Sequence, residues 1–168
     1  MTAAPWLTAH RHLLPPGGAA LDVACGRGRH ALWLAGQGFS TRGVDRDGEA
    51  VQFLKAEAER LDLPVAAGVV DLESDGVSLG QAAYDLVVVM RYLHRPLFPA
   101  LRAALKPGGV LVYETFTRAQ AARGRPTNPR FLLEEGELRE LIQPLAVLVE
   151  REGDFDGAWL SSIIATAR

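Results

Sequence analysis

The stretch LDVACGRGRH, residues 21–30, decides how the first half of this chain folds. Its apolar residues favour a short buried strand over 19–24, and Gly26 and Gly28 then favour a tight turn. A helical pattern begins at once and continues to Ala35. A strand, a glycine turn and a helix in this order are typical of α/β folds in which a ligand approaches the backbone closely. An ordinary strand-to-helix turn has the same local pattern, so the rest of the chain must decide between the two interpretations.

Strands and helices alternate along the remainder of the chain. Further strands are predicted at 40–44, 65–70, 84–90, 110–115, 145–150 and 158–166, and further helices at 47–61, 97–105 and 134–142. The run Leu86-Val87-Val88-Val89 is typical of a strand buried on both faces. A turn around Gly153-Asp154 joins the last two strands, which favours an antiparallel hairpin. We therefore predict an α/β fold of the Rossmann-like, doubly wound type: a mostly parallel seven-stranded sheet with an antiparallel edge hairpin.

Length and composition narrow the classes of function. The 168 residues suit a single domain (1–168), with 1–18 as an N-terminal cap segment and the polar stretch 117–133 as a substrate loop. A net charge of −2 gives no strong sign of nucleic-acid binding, and no apolar stretch is long enough to cross a membrane. The single cysteine, Cys25, favours a cytoplasmic location. The scattered histidines predict no metal site, and the oligomeric state stays open.

Acidic residues lie at or near the carboxyl ends of the first three predicted strands. Asp22 lies within the first strand, Asp45 ends the second, and Asp71 follows the third. Because the carboxyl ends of parallel strands meet at one sheet edge, these side chains predict a nucleoside site there. Gly26, Gly28 and Ala31 also fit the looser form of the dinucleotide fingerprint. A nicotinamide dinucleotide is less suited than a cationic ligand, however, because a pyrophosphate gains nothing from the Asp22 carboxylate.

The residues 22–30 resemble the first motif of class I methyltransferases, and 105–111 resembles their segment before strand five. The segment 131–139 is similar to bacterial tellurite-resistance methyltransferases of the TehB type. The resemblance implies S-adenosyl-L-methionine as the cofactor and transfer of its methyl group to a small molecule. The cofactor-binding residues that it implies are Asp22, Cys25, Gly26, Gly28, His30, Asp45, Arg46, Asp71, Leu72 and Met90.

The acceptor side is less well defined by the sequence. His94 and Tyr92 follow the fourth strand and are candidate catalytic residues, His94 as a general base. The candidate substrate-binding residues are Arg91, Arg95, Glu114 and Arg125. Guanidinium groups suit an anionic acceptor, which also makes the loop residues Arg123 and Arg130 candidates, and Glu114 ends the fifth strand, where it would face the acceptor. Each of these residues also has a plain structural interpretation, such as helix capping, packing or a solvated charge. The alternative functions are an RNA or protein methyltransferase and a non-catalytic S-adenosylmethionine-binding module.

Overall fold

A computed structural model of the protein describes residues 2–168 and contains one sheet of seven strands. The strands are β1 (Gly18–Val23), β2 (Phe39–Asp45), β3 (Val65–Val69), β4 (Tyr84–Met90), β5 (Leu105–Phe116), β6 (Ala146–Phe155) and β7 (Ala158–Thr166). The α-helices are α1 (Pro5–Ala9), α2 (Arg29–Gly36), α3 (Gly48–Arg60), α4 (Phe98–Ala104) and α5 (Glu137–Leu141). Short 3-10 turns occupy Arg11–Leu13, Arg95–Leu97, Arg118–Ala122 and Pro129–Phe131.

The strand order is β3-β2-β1-β4-β5-β7-β6. Neighbouring strands from β3 to β5 are parallel, whereas β7 is antiparallel to both β5 and β6. The predicted fold class, with its antiparallel edge hairpin, is therefore confirmed. The chain leaves β1 toward β2 on one side and later returns to β4 on the other. Such a point of reversal opens a crevice at the carboxyl ends of the strands, where ligands bind in open α/β sheets.

Alternating apolar residues bury both faces of the sheet. In β4, Val87 and Val89 pack into one cluster with α4 and α5, whereas Leu86 and Val88 face a second cluster that contains Trp6 of α1. Burying one such side chain stabilises the fold by about 1.5–3 kcal/mol. The two clusters fix β1 and β4 side by side and thereby place the strand ends that form the site.

The hairpin turn differs from the prediction. Gly153 and Asp154 remain within β6 and pair with β7, so the expected turn at Gly153-Asp154 is wrong. The chain reverses at Asp156-Gly157, where both residues have positive φ, 55° and 83°. Two positive φ values are what a two-residue hairpin turn requires, and the Asp-Gly dipeptide is among its preferred sequences.

The segment 117–133 lies against the hairpin and contains two 3-10 turns, although we expected a plain loop there. The Gln120 side chain donates a hydrogen bond to the Arg125 carbonyl at 3.1 Å and accepts one from the Trp159 amide at 2.9 Å. Arg123 forms a bidentate pair with Asp154 of β6. The segment is thereby attached to β6 and β7. Within residues 2–168, no helix is long and apolar enough to cross a bilayer.

Candidate functional site

Two adjoining cavities lie at the carboxyl edge of the sheet. The first, here called the acidic cleft, has a volume of about 410 Å³ and is lined by Ala24, Asp45, Arg46, Leu72, Glu73, Tyr92, Arg130 and Phe131. The second, here called the basic pocket, has a volume of about 520 Å³ and is lined by Arg91, Tyr92, Leu93, Thr115, Phe116, Arg125, Pro126, Thr127, Asn128 and Phe131. Tyr92 and Phe131 line both, so two ligands could meet at these rings.

The glycine turn after β1 is closed by Asp45. Its Oδ2 accepts a hydrogen bond from the Gly26 amide at 2.8 Å, and its Oδ1 accepts one from Asp47 at 2.9 Å. Gly26 has φ 54°, and a Cβ there would meet nothing within 4 Å. Gly28 has φ 91°, and a Cβ there would lie 2.2 Å from Leu54. Gly26 thus leaves open space beside the cleft, whereas Gly28 allows α2 to approach α3.

Asp22 is a buried carboxylate without a full set of partners. Its side chain is 1% exposed, and its Oδ2 has no hydrogen-bond partner among the described residues. The pKa of Asp22 is raised to about 7, chiefly by burial; the hydrogen bond with the Ala31 backbone lowers it, the charge of Asp45 raises it, and Arg29 lowers it. An unpartnered buried acceptor at the end of β1 fits a cationic group of a ligand.

Glu73 connects the acidic cleft to the segment 117–133. Its Oε1 accepts a hydrogen bond from Arg130 at 2.8 Å, and Arg46 lies 3.5 Å from its Oε2. His94 Nδ1 lies 3.5 Å from Glu73 Oε1. Asp71 lies just beyond β3, and its Oδ1 accepts a hydrogen bond from the Glu73 amide at 3.0 Å. Arg130 therefore reaches across the acidic cleft to a residue on its opposite wall.

Tyr92 stands between the two cavities. Its carbonyl accepts a hydrogen bond from the buried Tyr113 hydroxyl at 2.6 Å, which fixes the backbone after β4. The pKa of Tyr92 is raised to about 12, chiefly by burial and next by the Glu73 carboxylate. The phenol is therefore protonated at physiological pH, a form that can donate a hydrogen bond but cannot accept a proton as a base.

Arg91 lines the basic pocket, and the predicted substrate-binding residue Glu114 lies behind it, outside the lining. Arg91 has φ 60°, an uncommon value for a residue with a side chain, and its amide donates to the Glu114 carbonyl at 2.7 Å. Its guanidinium lies 4.8 Å from the Phe116 ring centroid, and its Nε lies 3.9 Å from Glu114 Oε1. Glu114 is fully buried and accepts a 2.6 Å hydrogen bond from Ser162. Arg151, at 3.5 Å, is its second cationic neighbour.

The candidate residues that lie outside both cavity linings are Asp22, Cys25, Gly26, Gly28, His30, Asp71, Met90, His94, Arg95, Glu114 and Arg123. Arg95 bonds to Glu137 and to the carbonyls of Arg130 and Leu132, so it connects the 3-10 turn after β4 to α5. The His30 Nε2 accepts a hydrogen bond from Ala4 at 3.1 Å, and burial lowers its pKa to about 4. Burial also raises the pKa of the Cys25 thiol, and Met90 packs in the core.

Several lining residues were not among the sequence candidates. These are Glu73 and Phe131 of the acidic cleft, and Thr115 and Phe116, which end β5 at the basic pocket. Glu73 stands two positions after Asp71, so its place at a strand end was a usable signal. Arg130 and Phe131 come from the segment 117–133, which the sequence predicts as a substrate loop, but no local pattern indicates that Phe131 lines both cavities.

Comparison with known proteins identifies the family. The family described as "Methyltransferase domain" matches residues 20–109, more than half of the chain. A ubiquinone biosynthesis O-methyltransferase of Paraburkholderia phytofirmans is 29% identical over 119 residues, which cover 67% of this chain and 50% of the relative. The corresponding protein of Burkholderia ambifaria is 30% identical over the same shares. The chain thus spans about half the length of the curated relatives it matches.

Solved structures agree with the fold. An S-adenosylmethionine-dependent methyltransferase from Mesorhizobium loti superposes with a TM-score of 0.77 at 20% identity, covering 98% of each chain. TehB from Haemophilus influenzae has a TM-score of 0.77 at 19% identity, covering 97% of this chain and 61% of that one. These identities establish a shared fold. Together with the match over residues 20–109, they show that the chain belongs to the methyltransferase domain family.

Proposed function

We propose that the protein transfers the methyl group of S-adenosyl-L-methionine to a small-molecule acceptor. The observation that supports this most strongly is the unpartnered, buried Asp22 carboxylate beside the open glycine turn. S-adenosylmethionine carries an ammonium group and a sulfonium, so it supplies the cationic partner that this carboxylate lacks. A dinucleotide would instead place phosphate charge near Asp22.

The chain's own residues suit each part of this cofactor. Asp22 would accept hydrogen bonds from the amino group, and Gly26 and Gly28 would lie along the methionine part. Asp45, which lines the acidic cleft, would hold the ribose hydroxyls. Asp71 would meet the adenine amino group, and the buried Leu72 would pack beside the ring. S-adenosylmethionine itself supplies a methyl group that a nucleophile takes by in-line displacement.

The basic pocket is the proposed acceptor site, because it adjoins the acidic cleft through Tyr92 and Phe131. Its volume of about 520 Å³ lies in the range of small-molecule sites. The protein's main contribution is then to position the acceptor and to exclude water. The substrate loop 117–133 supplies one wall, and the Arg130–Glu73 pair connects that wall to the opposite side of the cleft.

The names of the relatives favour a small acceptor over RNA or protein, since the curated ones are O-methyltransferases of ubiquinone biosynthesis. The identity of the acceptor and the catalytic roles of Tyr92 and His94 stay predictions, and Tyr92 alone of these two lines the pocket. A cytoplasmic location is part of the proposal, on the ground that the single cysteine indicates a chain without internal disulfides.

Isothermal titration with S-adenosylmethionine and S-adenosylhomocysteine, with NAD as the control, tests the proposal. We expect both sulfur nucleosides to bind and NAD not to bind. Asp45→Ala should weaken both affinities severely. Asp47→Ala is the matched control: it removes the α3 N-cap, which costs about 1 kcal/mol of stability, but it should leave cofactor affinity unchanged. Binding of NAD, or unchanged affinity in Asp45→Ala, would remove the cofactor assignment.

A further inference from the structure

The basic pocket contains no side chain suited to remove a proton. Among the described residues that line it, the ionisable ones are Arg91, Tyr92 and Arg125. The arginines are always protonated, and the raised pKa of Tyr92 keeps its phenol protonated as well. An acceptor that must lose a proton during transfer would therefore find no base in this lining.

Positive charge is the pocket's main electrostatic feature. Arg91 is held by the Phe116 ring and by Glu114, and its Nε has no hydrogen-bond partner. Arg125 extends from the facing segment, and its guanidinium makes no ion pair within residues 2–168. Two guanidinium groups on separate walls of one cavity suit an anion between them.

The surrounding carboxylates do not cancel this charge. Glu114 lies behind Arg91 and is shared with Arg151, which also pairs with Asp156 at 2.9 Å. On the cofactor side, Glu73 is bonded to Arg130 and lies near Arg46 and His94. Glu114 and Glu73 thus each have at least one cationic partner, whereas Arg125 has none. Asp45 and Asp71 make no ion pair within residues 2–168, but they lie on the cofactor side of Tyr92. The pocket therefore favours the ionised form of an acidic ligand.

The other walls are apolar. Leu93, Phe116, Pro126 and Phe131 give the pocket a largely hydrocarbon surface, with Phe131 shared with the acidic cleft. Flat rings bury well against aromatic side chains, which add attraction beyond that of the buried area. A compact aromatic body with one acidic group matches this combination of ring walls and guanidinium groups.

We propose that the acceptor is a small aromatic molecule with an acidic hydroxyl or thiol, bound as its anion by Arg91 and Arg125, and that this anion is the nucleophile. This inference rests on the proposed function. A lone pair of the anion forms the new bond to the methyl carbon, and the electrons of the breaking carbon–sulfur bond go to the sulfur. The acceptor gives its proton to solvent when it ionises, before the transfer. In the transfer step the negative charge of the anion and the positive charge of the sulfonium cancel, so that step releases no proton and needs no general base. The methylated product is neutral and loses its attraction to the two arginines.

The test measures ionisation of a bound acceptor rather than turnover. The probe is 4-nitrophenol, which absorbs visible light only as its phenolate, and 4-nitrothiophenol is the corresponding thiol probe. Each is titrated with protein saturated with S-adenosylhomocysteine, over a range of pH. We expect at least one probe to bind with its apparent pKa lowered by about one unit, a tenfold preference for the anion. The neutral 4-nitroanisole, which has no acidic proton, should bind at least tenfold more weakly.

Variants identify the residues responsible. Arg125→Gln lies on an exposed stretch and should fold normally, yet anion affinity should fall about tenfold, as expected for a lost charged hydrogen bond. Arg91→Gln should do the same, and the double variant Arg91→Gln/Glu114→Gln avoids leaving Glu114 without this partner. The matched control is Arg118→Gln in the same segment, since Arg118 pairs with Glu134 and does not line the pocket.

Three results would overturn the inference: no binding of either probe as an anion, an unchanged or raised probe pKa, or equal affinities in Arg125→Gln and Arg118→Gln. Titration of S-adenosylhomocysteine into the same samples separates this failure from failure of the proposed function. If the nucleoside binds and the anion does not, only the acceptor class is wrong. If the nucleoside does not bind, the proposed function fails first.

Discussion

Replacing Asp22 with asparagine should have opposite effects on stability and on cofactor binding. The pKa of Asp22 is raised from 3.8 to about 7, chiefly by burial. Between these two pH values the folded protein holds a proton that the unfolded chain has released. Wild-type stability should therefore decrease as pH rises from about 4 to about 7. The asparagine variant has no proton to lose at this position and should lack that decrease.

The magnitude follows from the two pKa values of Asp22. The whole difference corresponds to about 4 kcal/mol, and the part between pH 5 and pH 8 is about 3 kcal/mol. Against this stands the cost of burying an amide NH₂ with no acceptor, about 1–3 kcal/mol at every pH. We expect Asp22→Asn to be less stable than the wild type near pH 5, or equal to it, and more stable at pH 8.

Urea unfolding of the ligand-free protein at several pH values measures this change. Asp85→Asn is the matched control from β4, since the Ala19 amide and Lys106 lower the pKa of Asp85. The Asp85 carboxylate favours folding, so its loss should reduce stability at neutral pH. If the wild-type and Asp22→Asn stabilities change in parallel from pH 5 to pH 8, the argument that Asp22 is a strained, unpartnered carboxylate is refuted.

The same variant should lose affinity for S-adenosylmethionine. A hydrogen bond between charged groups contributes about 1.5–3 kcal/mol, so the dissociation constant should rise about 10- to 100-fold. Methylthioadenosine lacks the amino acid end, and its affinity should be equal for the wild type and Asp22→Asn. Equal losses for both ligands would show that the substitution disturbs the cleft as a whole.

Three other substitutions and one chemical labelling experiment have distinct expected outcomes. Gly28→Ala should destabilise the fold by about 2–4 kcal/mol, because the methyl group meets the Leu54 side chain at positive φ. Gly26→Ala is beside open space and should cost only the backbone strain of positive φ, about 1–2 kcal/mol in urea unfolding, yet it should abolish measurable cofactor binding in calorimetry. Arg130→Gln should speed S-adenosylhomocysteine release severalfold in stopped-flow measurements with less than about 1 kcal/mol lost in stability, since the ion pair is exposed. The buried Cys25 thiol, with its raised pKa, should resist iodoacetamide at pH 8 until urea unfolds the chain; labelling at the rate of a free thiol would contradict this.

Sequence patterns predicted the parts of the molecule whose structure is determined by residues close together in the sequence. The apolar run of β4 and the glycine turn after β1 each depend on a few consecutive residues, and the structure has both. Arg95 shows the limit: it stands four positions after Arg91, but a 3-10 turn places its side chain against Glu137 instead of the pocket. Phe131 lies between the two cavities because the segment 117–133 packs on the hairpin. Local periodicity in the sequence does not predict that long-range packing.

The charges that have no ion-pair partner differ between the two sides of the site, and that difference fits the proposed reaction. In the acidic cleft Arg46 and Arg130 both pair with Glu73, which leaves the Asp45 carboxylate without a cationic partner. Acidic residues end β1 and β2, where a ligand with an ammonium and a sulfonium would lie, whereas Arg91 and Arg125 line the other cavity. Tyr92 and Phe131 separate the two cavities, so the carboxylates can attract the cationic ligand and the arginines can attract the anionic ligand without neutralising each other. Transfer of a methyl group from a cation to an anion removes both ligand charges at once. Both products are then attracted less strongly than the substrates were. The separation of carboxylates from arginines therefore favours product release as well as substrate binding.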